Sequence, residues 1–354
     1  MAAYLRAGLK RAIPDLAVQV APVADGGDGT VEAALASGYR RVTAAASGPL
    51  GDRVSASIAV RDDTAVVEMA QASGLHLLAT PDPLRASSFG TGELIRAALD
   101  AGAATVILGV GGSASTDGGA GMLEALGARL TYRERRRTAG GGGLLADLDG
   151  VDLSGLDPRI GSTEFVIASD VDNPLLGTDG AAAIFAPQKG ADADDVALLE
   201  AGLCRWADLL AAAVGADHST EPGAGAAGGV GFGAMAGLGA HARPGIELLL
   251  GMIGFADLLS DARLVVTGEG SLDEQSLRGK APVGVAGAAA EHGVPAVAVA
   301  GVTSLSPAAL SAAGFAATYT LHELEPDLDR CMTEPGPLLE RIGERIAGDW
   351  LHAL

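Results

Sequence analysis

Short β-branched runs alternate along the chain with longer stretches rich in Ala and Leu, the pattern of an α/β fold with mainly parallel strands. The clearest predicted strands are residues 18–23, 65–69, 105–108, 165–168, 264–267 and 296–300. Residues 4–13 read as an amphipathic helix ended by Pro14, so this wound fold would begin with a helix rather than a strand. Residues 41–69 differ: Gly48-Pro49-Leu50-Gly51-Asp52 turns between two extended segments, which predicts an antiparallel hairpin and a second region of mixed topology. Residues 293–321 carry no charge, but Pro295, Pro307 and many small residues make them strand, loop and helix rather than a membrane span.

The segments just after these strands are polar. Ala24-Asp25-Gly26-Gly27-Asp28-Gly29-Thr30 comes after the first, and Gly109-Val110-Gly111-Gly112-Ser113-Ala114-Ser115-Thr116-Asp117-Gly118-Gly119 after the third. Ser169-Asp170-Val171-Asp172-Asn173-Pro174 comes after the fourth, and Gly268-Glu269-Gly270-Ser271-Leu272-Asp273-Glu274-Gln275-Ser276 after the fifth. Open α/β sheets bind ligands at the carboxyl ends of their strands, where backbone amides and helix N-termini converge.

Composition narrows this picture. Glycine supplies 52 of 354 residues, at irregular spacing, and hydrophobic residues make up 48%, which excludes both a collagen-like and a disordered chain. The length suits about two domains, and with aromatics at 3% their cores must be built from Ala, Val and Leu. A net charge of −20 argues against nucleic acid and anionic membranes as partners. Only three of the 24 basic residues are lysine, namely Lys10, Lys189 and Lys280, so a compact point charge is candidate chemistry at each. Cys204 and Cys331 match no metal or redox spacing, and the N-terminus has no signal-type apolar stretch; a cytoplasmic location is the expectation.

Familiar nucleotide motifs fit poorly. Gly109-x-Gly111-x-x-Ala114 and Gly223-x-Gly225-x-x-Gly228 match a dinucleotide fingerprint, but neither has the acidic residue that would hold a ribose, and the second comes after Glu221-Pro222 rather than a strand. Around Gly279-Lys280 a P-loop would need glycine at Glu274 and a hydroxyl at Ala281. No Gly-x-Ser-x-Gly elbow occurs, and the six histidines have no ligand spacing. Glycine loops interleaved with hydroxyls and carboxylates remain, the combination phosphoryl transfer requires. Gly111, Gly112, Ser113, Ser115, Thr116, Asp117, Gly118 and Gly119 would receive phosphates, aided by a helix starting near Gly119. Asp25, Asp170, Asp172 and Glu269 would hold Mg²⁺ or accept a proton. If a helix starts near Ser271, Glu274 is a capping residue, while Asp273 and Lys280 have no such local explanation. A small anion would need local cations, for which Arg53, Lys189, Arg278 and Lys280 are the candidates. The Arg135-Arg136-Arg137 run and Gly140 to Gly143 read as an ordinary exposed loop.

Six segments in order, the 24–30 loop, Gly90-Thr91-Gly92-Glu93-Leu94-Ile95, 109–121, 169–175, Ala186-Pro187-Gln188-Lys189-Gly190 and 267–275, together resemble the bacterial glycerate kinases that convert D-glycerate to phosphoglycerate with ATP. The resemblance implies an α/β fold of two domains. One would be Rossmann-like or flavodoxin-like with a mainly parallel sheet, built from residues 1–40 and 262–354. The other, 41–261, would be an inserted α/β domain of mixed topology, with the active site between the two. It also implies ATP and Mg²⁺. Members of that family usually begin with a strand followed by Asp-Ser-Phe-Lys-Gly, and this chain starts beyond that point, so a first strand and part of the site are expected to be lacking.

The expectation is therefore an ATP-dependent glycerate kinase. Catalysis would fall to Asp170, Glu269, Asp273 and Lys280, substrate binding to Asp25, Arg53, Asn173, Lys189 and Arg278, and Mg²⁺ to Asp25, Asp170 and Asp172. Which carboxylate is base and which holds metal is left open, as is a homodimer. The resemblance favours transfer to oxygen 2 of glycerate, with oxygen 3 open. A dinucleotide-dependent oxidoreductase of a small hydroxy acid and a non-catalytic metabolite-binding relative are the alternatives.

Overall fold

The computed structural model describes residues 1–24, 26–133, 140–274, 276–278 and 280–351, with the backbone alone for Arg278. Asp25, Gln275, Gly279 and the Arg135–Arg137 run lie outside them. The chain divides into two compact α/β units, Met1–Pro22 with Leu250–Leu354, and Val23–Leu249.

The unit of residues 23–249 carries a six-stranded sheet. In chain order its strands are β1 (Arg40–Ser47), β2 (Arg53–Arg61), β3 (Thr64–Glu68), β4 (Thr105–Gly109), β7 (Glu164–Ala168) and β8 (His241–Arg243); β5 (Arg129–Tyr132) and β6 (Leu148–Asp152) form a separate antiparallel pair. The predicted hairpin is present: β1 and β2 pair antiparallel around the 48–52 turn, where Gly51 takes a φ of 92°. From β3 onward β4, β7 and β8 are parallel, so the sheet is mixed. Parallel interior strands are covered on both faces, which is why Ala65, Val66 and Val67 form an unbroken apolar run and are all fully buried. The Phe89–Asp100 helix presses Leu94 and Ile95 into this core, each side chain contributing roughly 1.5–3 kcal/mol by burial. The Ala193–Val214 helix starts at a capping box of Asp192 and Asp195 and buries Trp206 completely. Residues 23–40 belong to this unit because the Thr30–Ala36 helix packs on β2 and β3.

The other unit has a parallel three-stranded sheet in the order β11–β10–β9, from β9 (Val265–Leu272), β10 (Ala296–Thr303) and β11 (Phe315–Thr320). The Ala2–Ala12 helix is present as expected and lies against the Pro335–Trp350 helix, with Leu5, Leu9, Ile342 and Ile346 in a core with Val297 and Val299. Residues 293–321 are strand, helix and strand, and no helix among the described residues is long and apolar enough to cross a membrane.

Two predicted elements are corrected. Residues 18–23 form no strand: nothing described pairs with them, and Val20 is 46% exposed. An apolar run becomes a strand only beside a ladder partner. No helix starts at Ser271 either. There β9 continues to Leu272, a 3₁₀ turn occupies Ser276–Arg278, and the helix begins at Ala281 with Lys280 as its N-cap, which removes the capping box predicted for Glu274.

Candidate active site

Parallel pairing places the last residues of four strands in one row: Glu68, Gly109, Ala168 and Arg243 stand side by side at the carboxyl edge of the mixed sheet. The loops leaving these strands therefore share one end of this unit. The 26–29 loop joins them, since Gly111 N–H donates to Gly26 O at 3.1 Å. A Cβ at Gly111 would stand 2.4 Å from Gly27 Cα, so only glycine permits the two loops to touch. Glu68, which the sequence reading missed, is buried here and accepts Gly29 N–H (3.2 Å) and Val31 N–H (2.9 Å), capping the Thr30–Ala36 helix.

The 111–119 loop is held from several sides. Leu75 N–H donates to Gly112 O, Ala114 N–H to Ser73 O, and Trp206 Nε1–H to Gly118 O at 2.9 Å. The expected helix does begin beside Gly119, at Ala120, but it is six residues long and starts well beyond Ala114, so Gly109-x-Gly111-x-x-Ala114 does not make the tight strand-to-helix turn of a dinucleotide site. Asp117 is turned inward. Its Oδ2 accepts from Ser88 N–H (2.8 Å), Ser88 Oγ (2.9 Å), Ser87 Oγ (3.3 Å) and Gly121 N–H (3.3 Å), and its Oδ1 from Gly119 N–H (3.2 Å). Burial pushes this carboxyl up while the donors hold it down. In this geometry Asp117 organises the loop rather than facing out of it.

Two side chains of the loop are different. Ser115 Oγ and Thr116 Oγ1 are buried and have no hydrogen-bond partner among the described residues. A buried hydroxyl without a partner costs stability and keeps a hydrogen-bond direction to spend on a ligand oxygen. Lys189 is adjacent, only 2% exposed, with Nζ donating to Ser113 Oγ (2.8 Å) and Ser115 O (2.6 Å). Burial lowers it to about 7, against the pull of Asp117. The same residue ends the 3₁₀ turn Pro187–Lys189, and Gly190 comes next at a φ of 93°.

A third segment closes over this group. Ala227, Gly228 and Gly229 are consecutive left-handed residues inside the Ala226–Leu238 helix, with φ of 56°, 67° and 88°. A Cβ at Gly228 would lie 2.1 Å from Ser115 O and 3.0 Å from Lys189 Nζ. The second glycine fingerprint is thus a strained turn packed on the lysine loop, and its distance from any strand was the signal against a dinucleotide. Asn173 supports the same turn: its carbonyl accepts Gly225 N–H (2.8 Å), while its Nδ2 donates to Asp179 O (2.8 Å). Gly141 and Gly142 are buried too, and a Cβ at Gly142 would stand 2.1 Å from Thr116 O, so they are packing glycines rather than the ordinary exposed loop expected.

Asp170 is half-buried after β7, and its Oδ1 accepts Gly245 N–H (2.9 Å) at the start of the Gly245–Met252 helix; Asp172 is exposed. Arg53 opens β2 and is largely exposed, reaching Glu93 Oε1 at 3.4 Å. In the other unit, Glu269 lies within the second half of β9, and Asp273 and Lys280 lie beyond its carboxyl end. Ser276, a fully buried residue the sequence reading passed over, ties two of them together. Its Oγ donates to Glu269 Oε1 and accepts Asp273 N–H (3.1 Å), and Asp273 Oδ1 accepts Ser276 N–H (3.2 Å). Lys280 is half-buried at the N-cap of the Ala281–Glu291 helix. A cation at the positive end of a helix is unfavourable unless an anion shares the spot. Asp25 and the side chain of Arg278 lie outside the described residues. Among those described, no three His, Cys, Asp or Glu residues converge on one point.

The chain matches the model of the Glycerate kinase family over residues 1–351. It is 43% identical to the glycerate kinase of Halalkalibacterium halodurans over 96% of this chain and 91% of that protein. It is also 45% identical to the glycerate 2-kinase of Escherichia coli strain K12, over 85% of this chain and 80% of that one. A solved structure described as glycerate kinase 2, from Salmonella typhimurium LT2, superposes with a TM-score of 0.81 at 40% identity, covering 98% of this chain and 92% of that one.

Proposed function

The chain belongs to the glycerate kinase family, and from that membership we propose that it transfers the terminal phosphoryl group of ATP to oxygen 2 of D-glycerate. The observation that carries the site assignment is the pair of buried hydroxyls without a partner among the described residues, Ser115 Oγ and Thr116 Oγ1, on a glycine loop at the carboxyl edge of the parallel strands of the mixed sheet. Hydroxyl donors left unspent on such a loop suit phosphate oxygens. The two alternatives have lost their support. The fingerprints that suggested an oxidoreductase are a long strand-end loop and a strained turn, and the named relatives are kinases.

Within this reading Ser113, Ser115, Thr116 and the backbone of Gly112 orient the ATP phosphates, while Gly111, Gly118 and Gly119 shape the loop, their N–H groups donated to Gly26 O, Gly228 O and Asp117 Oδ1. Asp117 holds that backbone in place through Gly119 and Gly121. The glycerate carboxylate is assigned to cations among Arg53, Arg278 and Lys280, with Asn173 and Asp25 shaping its surroundings. Glu269, oriented by Ser276, or Asp170 accepts the proton of the attacking hydroxyl, and Asp273 fixes Ser276 in turn. Mg²⁺ takes oxygen ligands and usually one or two carboxylates, the rest coming from water and phosphate, so one or two of Asp170, Asp172 and Asp25 would hold it without a three-ligand cluster, and no such cluster is present among the described residues. When bound it would supply neutralisation of phosphate charge.

Asp170→Asn, Glu269→Gln and Lys280→Ala are each expected to lower glycerate-dependent ATP turnover by about 10² or more, as for a lost proton acceptor or electrostatic group. A coupled assay of ADP release reads this. Near-normal turnover in all three variants would remove these residues from the site.

A further inference from the structure

Lys189 has surroundings unlike those of a lysine that greets a ligand from solvent. The Nζ is enclosed by the 113–117 segment, the 187–190 turn and the left-handed turn of 227–229. It has two acceptors, Ser113 Oγ and Ser115 O, and both are neutral. A neutral amine has two N–H bonds and spends both there; an ammonium ion has a third with no acceptor among the described residues. The carboxyl group that pulls on it is Asp117, whose own oxygens are occupied by five donors. Beside Gly190, the 81–83 segment contributes Asp82, which pairs with Arg85 at 3.5 Å, and the 227–229 turn contributes no ionisable side chain.

We propose that Lys189 stands in this cradle as a neutral amine and takes up one proton from solvent when a phosphoryl group of ATP binds against the 111–119 loop, so that binding itself creates the neutralising cation. This rests on that loop being the phosphate site. The proton is accepted by the Nζ lone pair from water or a buffer acid, and no bond to phosphorus is made or broken. An incoming phosphate oxygen offers the acceptor that the third N–H, Ser115 Oγ and Thr116 Oγ1 all lack, and its negative charge favours the ammonium form. Lys189 is thus a positioning and charge-balancing residue, and the lowering to about 7 by burial sets the range in which the uptake is visible. Above that range the free protein carries the amine and must gain the proton on binding; below it the proton is already present.

Calorimetric titration of the full chain with MgATP, glycerate omitted, in buffers of different ionisation enthalpy measures this directly. At pH 8 the heat is expected to vary with buffer as for nearly one proton taken up per nucleotide, falling to about a tenth of one at pH 6, given a lysine at about 7. Lys189→Met is expected to bind MgATP about tenfold or more weakly, with the uptake abolished. Binding by the wild-type chain without uptake at pH 8, or an unchanged uptake in Lys189→Met, overturns the proposal. The paired variant Ser115→Ala with Thr116→Val separates the premise: wild-type affinity in that protein overturns the loop as phosphate site and the proposal with it. Weakened affinity there without uptake in the wild type overturns the proposal alone. A wild-type chain that binds no MgATP overturns both.

Discussion

Ser115→Ala combined with Thr116→Val is expected to lower kcat/KM for ATP by about 10²–10³ or more while the folded protein stays as stable as before, or becomes more so. The two effects have opposite signs because the hydroxyls have no partner among the described residues. Burying a hydroxyl without a hydrogen bond costs on the order of 1–3 kcal/mol, and an apolar side chain of the same shape avoids that cost. Valine matches threonine in shape, and alanine removes one atom from serine. The same hydroxyls, if they meet phosphate oxygens as charge develops in the transition state, act as preorganised donors, each worth about 10²–10³ in rate. Steady-state kinetics and urea unfolding on one preparation check both halves. A loss of more than about 2 kcal/mol of stability with turnover intact would make the hydroxyls structural.

Asp117→Ala is expected to do the reverse damage, lowering stability by more than about 3 kcal/mol. Three backbone N–H groups, those of Ser88, Gly119 and Gly121, would lose a buried acceptor, at roughly 1–3 kcal/mol each. Removing a buried charge offsets part of this, since desolvation already pushes the Asp117 carboxyl up. The hydroxyls of Ser87 and Ser88 can turn to other acceptors, but the amides cannot. Because Asp117 ties the start of the Phe89–Asp100 helix to the 111–119 loop, activity should fall with the fold rather than separately from it. Urea unfolding reads the loss; a change below about 1 kcal/mol would contradict the role.

Much of the sheet was legible because its strands are short β-branched runs and its hairpin carries its own turn. Residues 65–69, 105–108, 165–168 and 296–300 fall within or against observed strands. Residues 18–23 have the same local character and form none, because pairing is a property of neighbours that a run of residues does not encode. The site was legible as chemistry before it was legible as geometry. Glycine loops with Ser, Thr and Asp after strands pointed to phosphate, but not to which groups look outward. Asp117 and Lys189 both read as ligand-facing residues, and both are buried, one as an organiser with five donors, the other between two neutral acceptors. The Ala227–Gly229 turn matched a fingerprint by spelling alone, since its left-handed backbone and its contact with Ser115 depend on long-range packing. Ser276 escaped notice because a single serine in a polar stretch has no pattern until Glu269 and Asp273 are seen to share it.

The most direct test of the central claim is phosphorus NMR of the full chain incubated with MgATP and D-glycerate. The expected result is one phosphomonoester signal, assigned to 2-phosphoglycerate, growing in step with ADP and absent when glycerate is omitted. ATP that is not consumed, or is consumed to inorganic phosphate at the same rate with and without glycerate, would contradict it.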